Sequence, residues 1–139
     1  MEEKMKILIG NGEDNTIETL ALSLIRDAVS DPDKSVIVCL TDKSILRKNI
    51  IMKIIAICNE LDIKVSFKGN VYINDIKIII KNFSSIDQLR GIKIKHMKLY
   101  NLTLKSEIEA AWMLFKQSSC IYPNNETSFT IVRNIPAKL

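Results

Sequence analysis

The chain has 139 residues, 47% hydrophobic and 26% charged, a balance that suits one compact folded domain and excludes a disordered or fibrous chain. Its 20 Lys+Arg against 16 Asp+Glu leave a formal net charge of +4, which permits a nucleic-acid or acidic protein partner without demanding either.

Met5–Ile9 form a short apolar run ending at Gly10, the pattern of a buried strand. Asn15 followed by Glu18 has the form of a capping box, so Asn15 is the expected N-cap of a helix. Ile17, Leu20, Ala21, Leu24, Ile25 and Ala28 follow at helical spacing and define its buried face. "SDPDK" ends that helix, and "SVIVCLT" (35–41) is a continuous apolar strand of the kind covered on both sides in a parallel sheet. A second helix is expected from about Ser44 to Leu61, with Ile50, Ile51, Ile54, Ile55, Cys58 and Leu61 as its stripe.

The pattern then changes. "KVSF" and "VYI" flank Lys68-Gly69-Asn70, and "IKIIIKNF" follows Asn74-Asp75, which predicts a hairpin or meander. "SSIDQLRG" is a single turn or short helix ending in glycine. "IKIKHMKLYNL" alternates apolar and basic residues before turning apolar, so a strand is expected there, near a sheet edge at its start. Thr103 is placed to cap a last helix to about Ser118, with Leu104, Ile108, Ala111, Trp112 and Phe115 inward, and "SFTIVRNIP" supplies a final strand. Strand–helix alternation around a β-rich middle predicts a single α/β domain over 1–139, with a mainly parallel sheet flanked by helices.

Three cysteines, Cys39, Cys58 and Cys120, are odd in number and far apart. They fit neither a disulfide framework nor a zinc site, so reduced thiols in a cytosol are expected and no metal is. No run of about 18 apolar residues could cross a bilayer. The acidic opening "MEEKMKILIG" does not read as a signal peptide. Abundant Ile, Lys and Asn suit an A+T-rich coding sequence, as in many viruses and some bacteria.

Strand, Gly/Asn loop and helix make Gly10, Asn11, Gly12, Asn15 and Thr16 the candidate anion-binding loop, since a helix start can hold an anion without lysine. Glu13 and Asp14 oppose that reading because they complement the helix dipole themselves. The basic residues Lys43, Arg47, Lys48, Lys81, Arg90, Lys93 and Lys95 are the candidate phosphate-backbone contacts, against the plainer reading of a solvated face. Few aromatics accompany them, so stacking of single-stranded bases is poorly served. His96, the sole histidine, has no local carboxylate or nucleophile and reads as a strand-surface residue. Cys39 reads as a buried structural thiol.

The order "ILIGNGEDNTIETLALSLI", "SVIVCLT", "GNVYINDIKIIIKNFSSIDQLRG", "HMKLYNL" and "TIVRNIP" resembles the nucleotide-binding core of P-loop motor ATPases, the phage terminase large subunits and helicases among them. The resemblance covers residues 5–135 and is one of layout, with few identities. It implies a reduced P-loop core with a phosphate loop at 10–16 and a Walker B strand at "MKLYNL". Both signatures depart from the family. Asn15 stands where the loop lysine belongs, with Thr16 at the hydroxyl position, and Tyr100-Asn101 replace the Walker B carboxylates.

ATP hydrolysis is therefore not expected, nor is any cofactor. The resulting expectation is a non-enzymatic, degenerate ATPase-like binding module, plausible for a virus and then placed in host cytoplasm. It would act on a protein, a motor ATPase included, or on nucleic acid. A small-ligand protein or enzyme with its site at the strand carboxyl ends, near Gly10–Asn15, Thr41-Asp42 and Tyr100-Asn101, is the rival. A nucleic-acid accessory protein using the basic middle is another.

Overall fold

The computed structural model describes residues 5–135. In chain order the elements are β1 (Met5–Asn11), α1 (Glu13–Ser30), β2 (Val36–Thr41), α2 (Ser44–Glu60), β3 (Val65–Lys68), β4 (Asn70–Ile73), β5 (Ile76–Asn82), β6 (Ile94–Tyr100), α3 (Lys105–Ser118) and β7 (Ser128–Ile135). Short 3₁₀ segments occupy Phe83–Leu89 and Asn124–Glu126. The acidic opening Glu2-Glu3 and Pro136 of the final strand motif lie outside the described residues.

The strands form one seven-stranded sheet in the order β1-β7-β6-β2-β5-β4-β3. β1, β7, β6, β2 and β5 are parallel, and β3 and β4 add an antiparallel hairpin at one end. The expected mainly parallel α/β sheet with a β-rich middle is thus the fold.

Two apolar layers cover it. On one face α1 and α2 pack Leu20, Leu24, Ile50 and Ile54 onto Ile37, Ile78 and Val132. On the other, α3 and the Phe83–Leu89 segment pack Leu114, Phe115 and Leu89 onto Val38, Leu40, Leu99, Phe129 and Ile131. Crossovers explain this division. The steps β1 to β2 and β2 to β5 run one way across the sheet, and β5 to β6 and β6 to β7 run back. Right-handed connections then require helices on opposite faces.

Several expectations need correction. The apolar run of β1 is an edge strand, with Met5, Ile7 and Ile9 exposed, because among the described residues only β7 pairs with it. β6, expected near an edge, lies between β2 and β7. Its lysines are accommodated by ion pairs rather than by water. α1 starts two residues before Asn15, with Gly12 at the cap position and φ 89°. α3 starts at Lys105 with Leu104 as its cap residue, and Leu104 points to solvent. α2 ends at Glu60, and Leu61 is exposed.

Cys39 is fully buried in β2, and burial pushes its thiol up to about 12, against a small opposing pull from Lys98. Cys58 is also buried, with its thiol raised by the same cause, whereas Cys120 is exposed. In native protein Cys120 is expected to react with a thiol reagent at once, and Cys39 and Cys58 only on unfolding. Counting labelled thiols by mass before and after urea checks this; rapid native labelling of Cys39 would contradict the buried β2. Among the described residues no helix is long and apolar enough to cross a membrane.

Candidate functional site

β1 passes into α1 at the carboxyl side of the parallel strands, the side on which open α/β sheets bind ligands. Only one residue, Gly12, separates β1 from α1. That connection leaves no loop to surround a phosphate, which needs several consecutive residues whose N–H groups converge.

Several of the groups expected to bind are already bonded. Asn11 N–H donates to Asn15 Oδ1 at 3.0 Å, and Gly12 N–H donates to the Ile135 carbonyl at 3.0 Å. Thr16 is fully buried. Its hydroxyl donates to the Gly12 carbonyl at 2.6 Å and lies 3.3 Å from Asn134 Oδ1. Gly10 is buried directly against Thr16, and a Cβ there would run into the Thr16 side chain and Cα. The five loop candidates are thus brought together, with the Asn11 and Gly12 N–H groups and the Thr16 hydroxyl engaged internally. Glu13 and Asp14, in the first turn of α1, supply the charge that a helix start would otherwise draw from an anion.

The neighbouring strand ends carry the residues of the rival ligand reading. Asn101, at φ 62°, donates through Nδ2 to both oxygens of Asp42 at 3.1 Å. The Tyr100 side chain is buried, and its hydroxyl is pushed up to about 12 by burial first, then by the charges of Glu13 and Asp42. A tyrosine so placed stays protonated and is no general base at neutral pH. Among the described residues no group of three or more His, Cys, Asp or Glu could hold a metal ion.

The basic candidates do not form one surface. Lys43, Arg47, Lys48 and Lys81 stand at the carboxyl end of the sheet, at the start of α2 and the end of β5, while Arg90, Lys93 and Lys95 lie at the amino end, just before or in β6. Arg47 is a structural clamp, donating to the carbonyls of Ile80 at 2.6 Å and Gly69 at 3.3 Å. Arg90 pairs with Asp87 at 3.1 Å. Lys43, Lys48 and Lys93 are exposed and Lys81 is half-buried.

Lys95 is the clear correction: its side chain is 3% exposed and meets Asp31 at 3.0 Å, Asp33 at 2.8 Å and Glu126 at 3.4 Å. An ammonium so enclosed offers nothing to a phosphate backbone. Burial opposes its charge, yet the hydrogen bonds it donates to Asp33 and Asp31 raise its pKa above the usual lysine value.

A second polar cluster, unforeseen from sequence, lies on the α1 face at the amino end of the sheet. Lys98, 2% exposed, meets Asp27 of α1 at 2.7 Å. His96 Nδ1 lies 2.7 Å from Ser128 Oγ and 3.9 Å from Asp27 Oδ2. The surface-histidine expectation is therefore corrected, because the fold supplies the partners that the local sequence lacks. Serine and carboxylate approach the same ring nitrogen, whereas an imidazole relay needs them on opposite nitrogens. Burial lowers the His96 pKa, with Lys98 and Lys95 acting in the same direction and Asp27 and Asp31 against it. The cluster borders a groove of about 680 Å³ that runs between α1 and β1 past Lys6, Leu8 and Thr130. One sequence signal could have found it: lysines within an otherwise apolar strand.

No protein-family model matches the chain, and no curated protein matches it. Solved structures do. The Thermus phage P74-26 large terminase ATPase domain superposes with TM-score 0.64 at 11% identity, covering 99% of this chain and 61% of that one. The large terminase of a thermophilic bacteriophage gives TM-score 0.68 at 14% identity over 96% of this chain and 34% of that one. A chain of the bacteriophage Phi-29 genome packaging motor assembly gives TM-score 0.64 at 10% identity over 96% and 43%. The fold is that of terminase ATPase domains, and the chain spans less than two thirds of each of these three proteins.

Proposed function

We propose that this chain is a non-catalytic binding module built on a motor-ATPase fold, acting through contact with another protein. The observation that carries this reading is the one-residue junction at Gly12, where the Asn11 and Gly12 N–H groups and the buried Thr16 hydroxyl are engaged internally. Tyr100 and Asn101 at the end of β6 support it, because neither supplies the carboxylate that magnesium coordination and water activation require. A place beside a phage motor ATPase, and hence in a host cytosol, follows from the fold likeness alone. Nucleic acid is not the partner favoured by this reading, since the basic residues divide between opposite ends of the sheet and Lys95 is enclosed.

ATP or ADP with Mg²⁺ is expected to leave the thermal midpoint unchanged and to yield no phosphate above the blank. A nucleotide present at 100 times its Kd would add about 2.7 kcal/mol of stability, a shift of several degrees. Such a shift, or measurable hydrolysis, overturns the proposal.

A second reading, a small-ligand site at the carboxyl ends, is favoured by the convergence of Asp42, Asn101 and Tyr100. Asp42→Ala should then abolish any ligand-induced shift found in a metabolite screen. It should leave the urea midpoint nearly unchanged, because the Asp42–Asn101 contact is exposed.

A further inference from the structure

The β1 border of the sheet ends in an apolar ledge on the α3 face. Met5, Ile7 and Ile9 are 43%, 57% and 59% exposed. Their register partners Phe129, Ile131 and Arg133 place them on the side that α3 occupies. α3 lies over β6, and its Trp112 meets Phe129 of β7 in an edge-to-face contact, ring centroids 5.0 Å apart. Ile108 and Trp112 stay half-buried on this same face of the sheet.

The dimensions of this ledge suit a helix. The seven residues of β1 span roughly 23 Å, the length of about four helical turns. A helix laid beside α3 at an interaxial distance of about 8–10 Å would sit over Met5, Ile7 and Ile9. The direction of the crossovers agrees, since each step toward β1 carries its helix or 3₁₀ segment on this same face.

Charge narrows the occupant. Lys116 Nζ stands 5.8 Å from the Trp112 ring centroid, and exposed Arg133 lies beside Ile9 on β7. Exposed Lys105, Lys116 and Arg133 outnumber exposed Glu109 around the apolar floor, which favours an acidic flank on whatever docks. A second copy of the chain fits less well. Antiparallel pairing of two β1 edges about Ile7 would satisfy backbone groups, yet Met5, Ile7 and Ile9 of both copies would share a sheet face still open to water.

We propose that this ledge docks an amphipathic, acidic-flanked helix of a partner protein, its apolar stripe on Met5, Ile7, Ile9 and Trp112 and its carboxylates toward Lys116 and Arg133. The proposal deepens the reading of the chain as a protein-binding module and rests on it.

The test uses two synthetic helical peptides of about 18 residues, with the same leucine stripe and either Glu or Lys on the flanks. Each is titrated into the full chain while the emission of Trp112, the single tryptophan, is followed. The Glu peptide should shift that emission and saturate, and the Lys peptide should bind at least about tenfold more weakly. Ile7→Lys, and separately Ile9→Lys, should abolish binding with the urea midpoint held, because both side chains face water.

Failure of both peptides to bind overturns the proposal, as does equal binding of the two or binding that survives both substitutions. Ile7-dependent dimerisation of the chain alone in sedimentation equilibrium overturns it too, by showing that a second copy covers the ledge. Nucleotide binding would sink the non-catalytic reading and leave this titration interpretable.

Discussion

Gly10→Ala is expected to lower the unfolding free energy by about 3 kcal/mol, near the top of the range for overpacking a core. The added methyl would meet the Thr16 side chain and, more seriously, the Thr16 Cα. A flexible side chain could rotate aside, but helix backbone cannot. Relief requires α1 to move off β1 or its first turn to open, and either breaks the Thr16 hydroxyl bond to the Gly12 carbonyl. Gly12→Ala is the matched comparison. No atom lies within 4 Å of its would-be Cβ, so its cost is backbone strain alone, about 1–3 kcal/mol for a side chain forced to φ 89° and ψ 157°. Urea unfolding of both variants, with unchanged m-values, gives the order. A Gly10→Ala variant as stable as the wild type would show that the close approach of strand and helix does not govern this junction.

Lys95→Met is expected to cost about 3–5 kcal/mol at neutral pH, the usual effect of removing one partner from a buried ion pair. Asp31 is fully buried and would be left facing Asp33 and Glu126 without a cation. The pH dependence separates this cause from lost packing. Burial alone would raise the Asp31 pKa, but hydrogen bonds from Lys95 and from the N–H groups of Ser35 and Asp33 bring it below the ordinary 3.8. A carboxyl with a depressed folded-state pKa contributes stability above 3.8, and that contribution is lost as pH falls through the folded value. The gap between wild type and Lys95→Met should therefore be full at pH 7 and narrow on acidification from about pH 4 toward pH 2. Unfolding curves at several pH values measure it. A gap constant down to pH 2 would assign the loss to packing of the lysine stem.

Legibility divided along a physical line. Helices α1 and α2, strands β2 and β5 and the hairpin of β3 and β4 follow from apolar spacing and turn residues, which are local properties of the chain. The absence of lysine at Asn15 and of carboxylates at Tyr100-Asn101 is equally local. The position of each strand in the sheet is not. "MKILI" and "VIVCL" look alike as runs, yet β1 borders the sheet and β2 lies inside it, because pairing partners come from residues more than a hundred positions away.

The same reason misplaced the lysines. Alternating basic residues in β6 carry no local sign of whether water or a carboxylate will meet them. Asp31 and Asp33 lie in the turn after α1, more than 60 residues before Lys95, and only the crossover to β2 brings that turn beneath β6. His96 likewise gains Ser128 and Asp27 from β7 and α1. By itself the sequence determined the α/β alternation and the identities of Asn15, Tyr100 and Asn101, since both rest on residue identity at short range. Tertiary structure decided which strand is left at the border, which charges are buried and where an apolar ledge stays open, since each depends on long-range pairing.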